Sequence, residues 1–179
     1  MSKATVFLER VVQRELGICL WLNRACRYSW IREFFATISW LGDGKFWYTL
    51  MLLLPIWYGK QGLSVTAEMA VVGIVALALY KIIKSSTVRP RPYTVHHAIN
   101  NGTAPLDHYS FPSGHTMHAV GFTMIATEYF PALGWILLPF AALVALSRVI
   151  LGLHYPTDVV IGATIGFTLA STSFTFLTF

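Results

Sequence analysis

Long apolar runs separated by short polar segments dominate the chain, and their length predicts helices. Four runs stand out, at residues 63–83, 117–130, 133–146 and 159–179. The last two carry no charged residue, whereas Glu68 interrupts the first near one end. A helix rises about 1.5 Å per residue, so about 20 residues cross the ~30 Å apolar core of a bilayer. We therefore interpret these runs as membrane helices.

Two shorter apolar runs, 34–41 and 46–58, flank the sequence GDGK at residues 42–45. Glycine beside aspartate is typical of a turn, so this stretch predicts a short helical hairpin. Together the runs indicate five or six helices and no strands. The predicted fold class is an all-α integral membrane bundle.

The N-terminal segment, residues 1–32, has a different pattern. Between residues 5 and 22 polar positions recur at helical spacing, which predicts an amphipathic helix lying in the membrane interface. The alternative is the first turns of a tilted span that enters the membrane at residues 17–22. Charged residues also stand where a signal peptide would carry its apolar core, so we expect no cleavable signal. The polar positions are Glu9, Arg10, Gln13, Arg14 and Gly17.

Composition supports a membrane protein of one domain, residues 1–179. Hydrophobic residues make up 55% of the chain and charged residues 12%, against about 25% charged in a soluble domain, and the mean hydropathy is +0.59. The net charge of +5 does not indicate nucleic acid, because the basic residues form no strip on one face. Cys19 and Cys26 lack the spacing of a metal or redox site and are interpreted as buried thiols. No protein partner is evident.

Alternation of the spans predicts where the polar segments lie. If residues 63–83 cross the membrane in one direction, residues 84–115 lie at the face where that helix ends. The helices at residues 117–130 and 133–146 then cross back and forth, so residues 148–158 lie at the same face. The basic N-terminal segment and Lys60 would then lie on the opposite face, and basic flanks favour the cytoplasm. We therefore expect an inner-membrane protein whose polar cluster faces the periplasm or the exterior.

Three polar segments meet at that face: KSSTVRPRP from Lys84, PSGH at residues 112–115, and SRVILGLHYPTD at residues 147–158. Taken singly, each has an ordinary explanation as a snorkelling cation, a helix cap or a structural hydrogen bond. Together they suit phosphate, because several cations surround a helix start whose Ser113 and Gly114 N–H groups could bind an anion.

Two histidines and an aspartate supply the reactive groups. His154 can attack phosphorus when neutral, and Asp158, four residues later, can accept a hydrogen bond from the other ring nitrogen and fix its tautomer. His115 is the candidate general acid for the leaving oxygen. We find no cluster with metal-ligand spacing and predict no metal and no cofactor. The residues predict phosphoryl transfer through a phosphohistidine.

These segments resemble the three signature motifs of the type 2 phosphatidic acid phosphatase (PAP2) superfamily: Lys84-x6-Arg91-Pro92, PSGH, and Ser147-Arg148-x5-His154-x3-Asp158. All three are complete and in order across residues 84–158. The resemblance implies a bundle of about six helices and a metal-independent phosphatase acting on lipid phosphates in the bilayer. It implies His154 as nucleophile, Asp158 as its partner and His115 as acid. The implied substrate-binding residues are Lys84, Arg91, Ser113, Gly114, Ser147 and Arg148.

The alternatives are a lipid transporter without catalysis and a vanadate haloperoxidase, whose known forms are large and soluble. For the substrate we favour undecaprenyl diphosphate, since Arg89 lies outside the motifs and is a spare cation for a second phosphate. Phosphatidylglycerophosphate, phosphatidate and lipid A phosphates stay open. The loop at residues 93–111 contains groups that contact a headgroup or are simply solvated, namely His96, His97, Asp107 and His108.

Overall fold

A computed structural model describes residues 3–104 and 107–176; for residues 3–11 it describes the backbone alone. Within these residues the chain is helical and contains no strand, which confirms the predicted fold class. The only strand-like pairing there is an isolated bridge between Pro90 and Tyr109. The helices are α1 Lys3–Asn23, α2 Ser29–Trp40, α3 Phe46–Ser86, α4 Pro92–Val95, α5 Gly114–Tyr129, α6 Gly134–Ile150 and α7 Pro156–Phe176.

Helix α3 is two helices joined at Gly59, which has a φ of +57°. Only glycine adopts this left-handed conformation readily, and it lets residues 60–86 turn back along residues 46–58. Gly62 supports the same turn, because a side chain there would collide with the backbone carbonyl of Leu54. The apolar pattern predicted both helices but not how tightly they are joined.

The turn at residues 41–45 does not form the predicted helical hairpin. Asp43 and Gly44 leave helical geometry, Gly44 with a φ of +110°. Helix α2 then packs mainly against α6 instead of lying along α3. The close antiparallel pair is the one on either side of Gly59.

Helix α5 is the centre of the bundle and packs against α7, α3 and α6. Gly166 of α7 lies against the carbonyl of Met117, where a β-carbon would clash. Small residues of this kind let helices approach closely in a membrane, where packing rather than water exclusion drives association. The largest apolar cluster fills the space around α5 with Trp47, Leu54, Met69, Phe122, Ile125, Phe140 and Val144.

Three helical stretches are long and apolar enough to cross a membrane: residues 29–86, Pro131–Ile150 and Pro156–Phe176. Their outer faces carry exposed apolar side chains, among them Leu52, Ile74, Trp135 and Val160. Such a surface suits lipid, and the backbone polar groups beneath it are satisfied within the helices. The protein is a helical membrane protein, as predicted.

Helix α1 corrects the expected topology. The side-chain amide of Asn23 donates to the carbonyls of Ile150 and Asn100, and Cys19 contacts the carbonyl of His154. These contacts place α1 across the ends of α6 and α7, on the same face as the polar cluster. The prediction that the N-terminal arginines lie on the opposite face is therefore wrong. The side chains of Glu9 and Arg10 lie outside the described part of the chain.

Both cysteines are buried and free, as predicted. Burial raises the pKa of Cys19 to about 12, and the nearby charges of Glu15 and Asp158 act in the same direction. Its thiol is therefore protonated and unreactive at neutral pH.

Candidate active site

The bend between α6 and α7 brings Arg148 and His154 together. Helix α6 ends at Ile150, and Gly152 takes a φ of +73°, in contact with Ile99. The N–H groups of Leu153 and His154 both return to the carbonyl of Arg148, at 3.1 and 3.0 Å. Helix α7 then starts at Pro156, where the absent N–H needs no partner.

His154 lies buried between a cation and a carboxylate. Its Nε2 is 3.4 Å from Nη1 of Arg91. An arginine can only donate, so Nε2 must be the unprotonated nitrogen. Its Nδ1 lies 3.7 Å from Oδ2 of Asp158 and has no hydrogen-bond partner among the described residues. The ring thus presents a lone pair to the cations and an N–H to the carboxylate.

Burial lowers the pKa of His154 well below its usual value, and the charges of Arg148, Arg91 and Lys84 lower it further. The imidazole is therefore neutral at physiological pH. A neutral ring is the form that can attack phosphorus.

Lys84 and Arg91 share a carboxylate that the sequence analysis left as a loop residue. Oδ1 of Asp107 is 2.8 Å from Nζ of Lys84 and 2.7 Å from Nη2 of Arg91, and Tyr80 donates to Oδ2. Burial opposes ionisation of Asp107, but the hydrogen bonds and charges of these neighbours lower its pKa to about 2. The interpretation of Asp107 as solvated is therefore wrong, whereas His97 and His108 are exposed on the loop.

Arg148 is buried and differs from the other two cations. Its Nη1 donates to the hydroxyl of Ser39, and its Nε has no partner in the described residues. No carboxylate of those residues forms an ion pair with it. A buried guanidinium without a counter-charge is costly, and a bound phosphate oxygen would supply that charge.

His115 lies in the first turn of α5. Burial lowers its pKa well below the usual value of an imidazole, and the charges of Arg148 and His154 act in the same direction. Its Nε2 lies 3.4 Å from Oδ1 of Asp43, in the turn before α3. In the sequence, Asp43 carries only the signal of a turn and no sign of a contact with His115. A carboxylate at this distance favours the protonated ring, the form that donates a proton, against the effect of burial and of the neighbouring cations.

Ser113 and Ser147, two of the predicted phosphate-binding residues, make their hydrogen bonds to other groups of the protein. The N–H of Ser113 donates to the carbonyl of Asp158 at 3.0 Å, and the Ser113 hydroxyl bonds to Thr116. The Ser147 hydroxyl donates to the carbonyl of Val144 at 2.6 Å, inside its own helix. The Gly114 N–H precedes the first bond of α5, from Met117 to Ser113, and stays available for an anion.

Arg89 is not a spare cation. Its Nη1 lies 2.5 Å from Oδ1 of Asp158, and its Nη2 lies 2.6 Å from Oε2 of Glu15. Both ends of the guanidinium are therefore committed to protein carboxylates. The prediction that Arg89 binds a second phosphate is wrong.

An apolar cavity of about 380 Å³ opens beside His115. It lies between the two halves of α3 and α5, and its polar end carries Asp43, His115 and Tyr80. A chain of a lipid can lie in such a cavity with its headgroup at the polar end. The apolar part is lined by Trp47, Met51, Met69, Ile74, Leu77 and Phe122.

Comparison with known proteins identifies the family of the chain. The family model of the PAP2 superfamily matches residues 62–179. Over 123 residues the chain is 32% identical to the undecaprenyl-diphosphatase BcrC of Bacillus subtilis, covering 65% of this chain and 63% of that protein. It is 31% identical over 166 residues to phosphatidylglycerophosphatase B of the same organism, covering 80% of this chain and 73% of the relative.

Solved structures extend the likeness to the N-terminal helices. The crystal structure of a PAP2-type phosphatidylglycerolphosphate phosphatase from Bacillus subtilis is 27% identical, with a TM-score of 0.73, and covers 97% of this chain and 89% of that one. LpxE from Aquifex aeolicus is 25% identical with the same TM-score, over 90% of this chain and 94% of that one. The motifs, the fold and these relatives agree: the chain belongs to the PAP2 superfamily.

Proposed function

We propose that this protein is a lipid phosphatase that works through a phosphohistidine at His154. The observation that carries the proposal is the buried, neutral His154, whose Nε2 faces Arg91 while Nδ1 faces Asp158. A structural histidine would not need cations on one side and a carboxylate on the other. The arrangement is that of an activated nucleophile.

In the first step Nε2 of His154 attacks the terminal phosphorus, and the bond from phosphorus to the leaving oxygen breaks. This oxygen belongs to the lipid alcohol in a monoester and to the lipid monophosphate in a diphosphate. His115 gives its proton to the departing oxygen, and Asp158 stabilises the positive charge that forms on the His154 ring. Lys84, Arg91 and Arg148 hold the phosphoryl oxygens, aided by the Gly114 N–H.

In the second step water attacks the phosphohistidine. His115, now neutral, takes a proton from this water, and the bond between nitrogen and phosphorus breaks to release phosphate and neutral His154. The protein cations supply the charge neutralisation that a metal would otherwise give. We therefore expect the rate to be unaffected by a metal chelator.

The cavity beside His115 supports a lipid as the leaving group. His115 must face the oxygen that departs, and the apolar walls begin directly next to it. A water-soluble sugar phosphate would leave these walls exposed. Long apolar chains attached to phosphate therefore suit the site better than small soluble esters.

For the individual lipid, undecaprenyl diphosphate is the first candidate because a relative at 32% identity carries that name. Phosphatidylglycerophosphate is the second, favoured by relatives that share more of the chain. The commitment of Arg89 to two carboxylates removes the reason within the site for preferring a diphosphate. Phosphatidate and lipid A phosphate complete the panel to be tested.

The whole chain acts as one domain under this proposal, because α1 and the turn at Asp43 contribute to the site. The inner membrane is the proposed location, with the site open to the periplasm or exterior. An impermeant thiol reagent on intact cells tests this: His97→Cys should be labelled and Lys60→Cys protected. The reverse labelling would mean that the site faces the cytoplasm. The N-terminal arginines favour that orientation, because they lie on the same face as the site.

The proposed activity is tested by phosphate release from purified protein in detergent, using the four lipids and soluble sugar phosphates. We expect release from at least one lipid phosphate, with and without chelator. His154→Ala should abolish release while lipid binding persists, which separates an enzyme from a transporter. Turnover of sugar phosphates alone would contradict the lipid assignment.

A further inference from the structure

A chain of alternating charges runs from α1 to the partner of the nucleophile. Glu15 contacts Arg89, and Arg89 contacts Asp158, at 2.6 and 2.5 Å. Glu15 and Asp158 are both buried, with 6% and none of their surface exposed. None of the three sequence motifs includes Glu15 or Arg89, and Glu15 precedes the family match, which begins at residue 62.

We propose that Arg89 and Glu15 are positioning residues that hold the carboxylate of Asp158 toward His154. The proposal rests on the proposed function, since it concerns how the nucleophile is oriented. It assigns a role in the reaction to the N-terminal helix.

Both oxygens of Asp158 are fixed in place. Oδ1 accepts from Arg89, and Oδ2 accepts from the backbone N–H of Tyr155 at 2.8 Å. The carboxylate therefore cannot rotate freely, and Oδ2 stays directed at Nδ1 of His154. Removing Arg89 would release one of the two oxygens and let the group turn away.

Arg89 is itself held on several sides. Its Nη1 also donates to the hydroxyl of Thr157 at 2.8 Å, and its guanidinium lies 4.0 Å from the ring centre of Tyr155. Burial opposes its charge, but Asp158 and Glu15 raise the pKa of Arg89, so it stays a cation. Charge-assisted hydrogen bonds to two carboxylates need the planar fork of arginine, which lysine lacks.

Glu15 joins this arrangement to the start of α7. Oε2 binds Arg89, while Oε1 accepts the backbone N–H of Thr157 at 2.8 Å. That N–H belongs to the first turn of the helix and has no partner within it. Glu15 therefore orients both the arginine and the helix turn that carries Asp158.

The charges predict opposite effects on the acidic limb of the pH–rate profile. The pair of His154 and Asp158 faces titratable or charged groups on several elements: Glu15 and Cys19 of α1, Lys84, Arg89, Arg91, His115, Arg148 and Tyr155. Loss of the positive charge in Arg89→Gln makes the His154 and Asp158 pair easier to protonate. Loss of the negative charge in Glu15→Gln makes it harder. If the two residues only stabilised the fold, neither substitution would shift the acidic limb.

The test compares Arg89→Gln, Arg89→Lys and Glu15→Gln with two exposed controls, Arg27→Gln and Glu33→Gln. We expect kcat to fall about 100-fold in Arg89→Gln, as for a small misplacement of a reacting group, with KM within about threefold. The acidic limb should move up by about one pH unit. Glu15→Gln should lose about tenfold in kcat and shift the limb slightly down.

Arg89→Lys should have a higher kcat than Arg89→Gln and an acidic limb at the wild-type pH. The two control variants should match the wild type in both. Wild-type kcat in both Arg89→Gln and Glu15→Gln overturns the inference. The inference is also overturned if the variants lose folded protein, measured by thermal unfolding in detergent, to an extent that fully explains their lower rates, while the acidic limb of the pH–rate profile does not move. A wild-type protein that hydrolyses no lipid phosphate would instead contradict the proposed function itself.

Discussion

The two histidines of the site differ in their surroundings in ways that match two different tasks. His154 is 2% exposed and enclosed by Arg91, Arg148 and Asp158. His115 lies at the polar end of an apolar cavity and faces Asp43, whose side chain is 34% exposed. Burial and neighbouring charges lower the pKa of both rings, but of the two only His115 has an apolar cavity beside it, with the carboxylate of Asp43 at the polar end. This difference fits the proposed division of tasks, with His154 as nucleophile and His115 as the acid for the lipid oxygen.

Removal of the nucleophile should have the largest effect. His154→Ala should lower kcat at least 1,000-fold, and Asp158→Asn by a similar order, because the wrong tautomer is as damaging as loss of the ring. Steady-state phosphate release measures both, with the exposed loop variant His97→Ala as control. Near-normal turnover in Asp158→Asn would contradict the role given to this carboxylate.

Replacement of the acid should have an effect that depends on the leaving group. His115→Asn should lower kcat for a lipid phosphate about 100-fold or more, since general acid catalysis contributes about that much. With p-nitrophenyl phosphate, whose phenolate leaves without a proton, the loss should be less than tenfold. Equal losses on both substrates would mean that His115 does not protonate the leaving oxygen.

The low pKa of His154 predicts activity in mild acid. The ring must be neutral to attack, so the acidic limb of the kcat/KM profile should lie well below pH 6.5. The proposed acid His115 must be protonated, and mild acid favours that form because its pKa is lowered too. We expect the rate at pH 5.5 to be at least as high as the rate at pH 7. A half-maximal point near pH 6.5 in the profile would indicate that the cations do not act on His154.

Filling the cavity should give the smallest effect and should act on the lipid alone. Ala70 lines the cavity, so Ala70→Trp should raise KM for a long-chain lipid phosphate several-fold and leave p-nitrophenyl phosphate hydrolysis unchanged. Val160→Trp, on the exposed face of α7, is the matched control. An equal effect of both variants would place the lipid chain elsewhere.

The helices and the motif residues could be predicted from the sequence because each has a local signal. Apolar run length marks the helices, and the spacing from Arg148 through His154 to Asp158 marks the proposed nucleophile, His154. Alternation of the spans correctly brought these residues to one face. The sequence alone therefore predicts the polar cluster.

Contacts between residues far apart in the sequence could not be predicted. Glu15 meets Thr157 from 142 residues away, and Asp43 meets His115 across a turn whose composition predicts only a loop. Asp107 looked solvated because the loop around it is polar. The predicted membrane face of α1 was wrong because a count of basic residues takes no account of buried hydrogen bonds such as those of Asn23.

Under the proposed mechanism, His154 carries the phosphoryl group transiently in every turnover. Rapid quenching of the purified protein during turnover, followed by peptide mass spectrometry under alkaline conditions, tests it directly. We predict a phosphorylated peptide containing His154 that forms faster than phosphate is released and is absent in His154→Ala. Rapid turnover without any phosphorylated histidine, or phosphorylation of another residue at a competent rate, would contradict nucleophilic catalysis by His154.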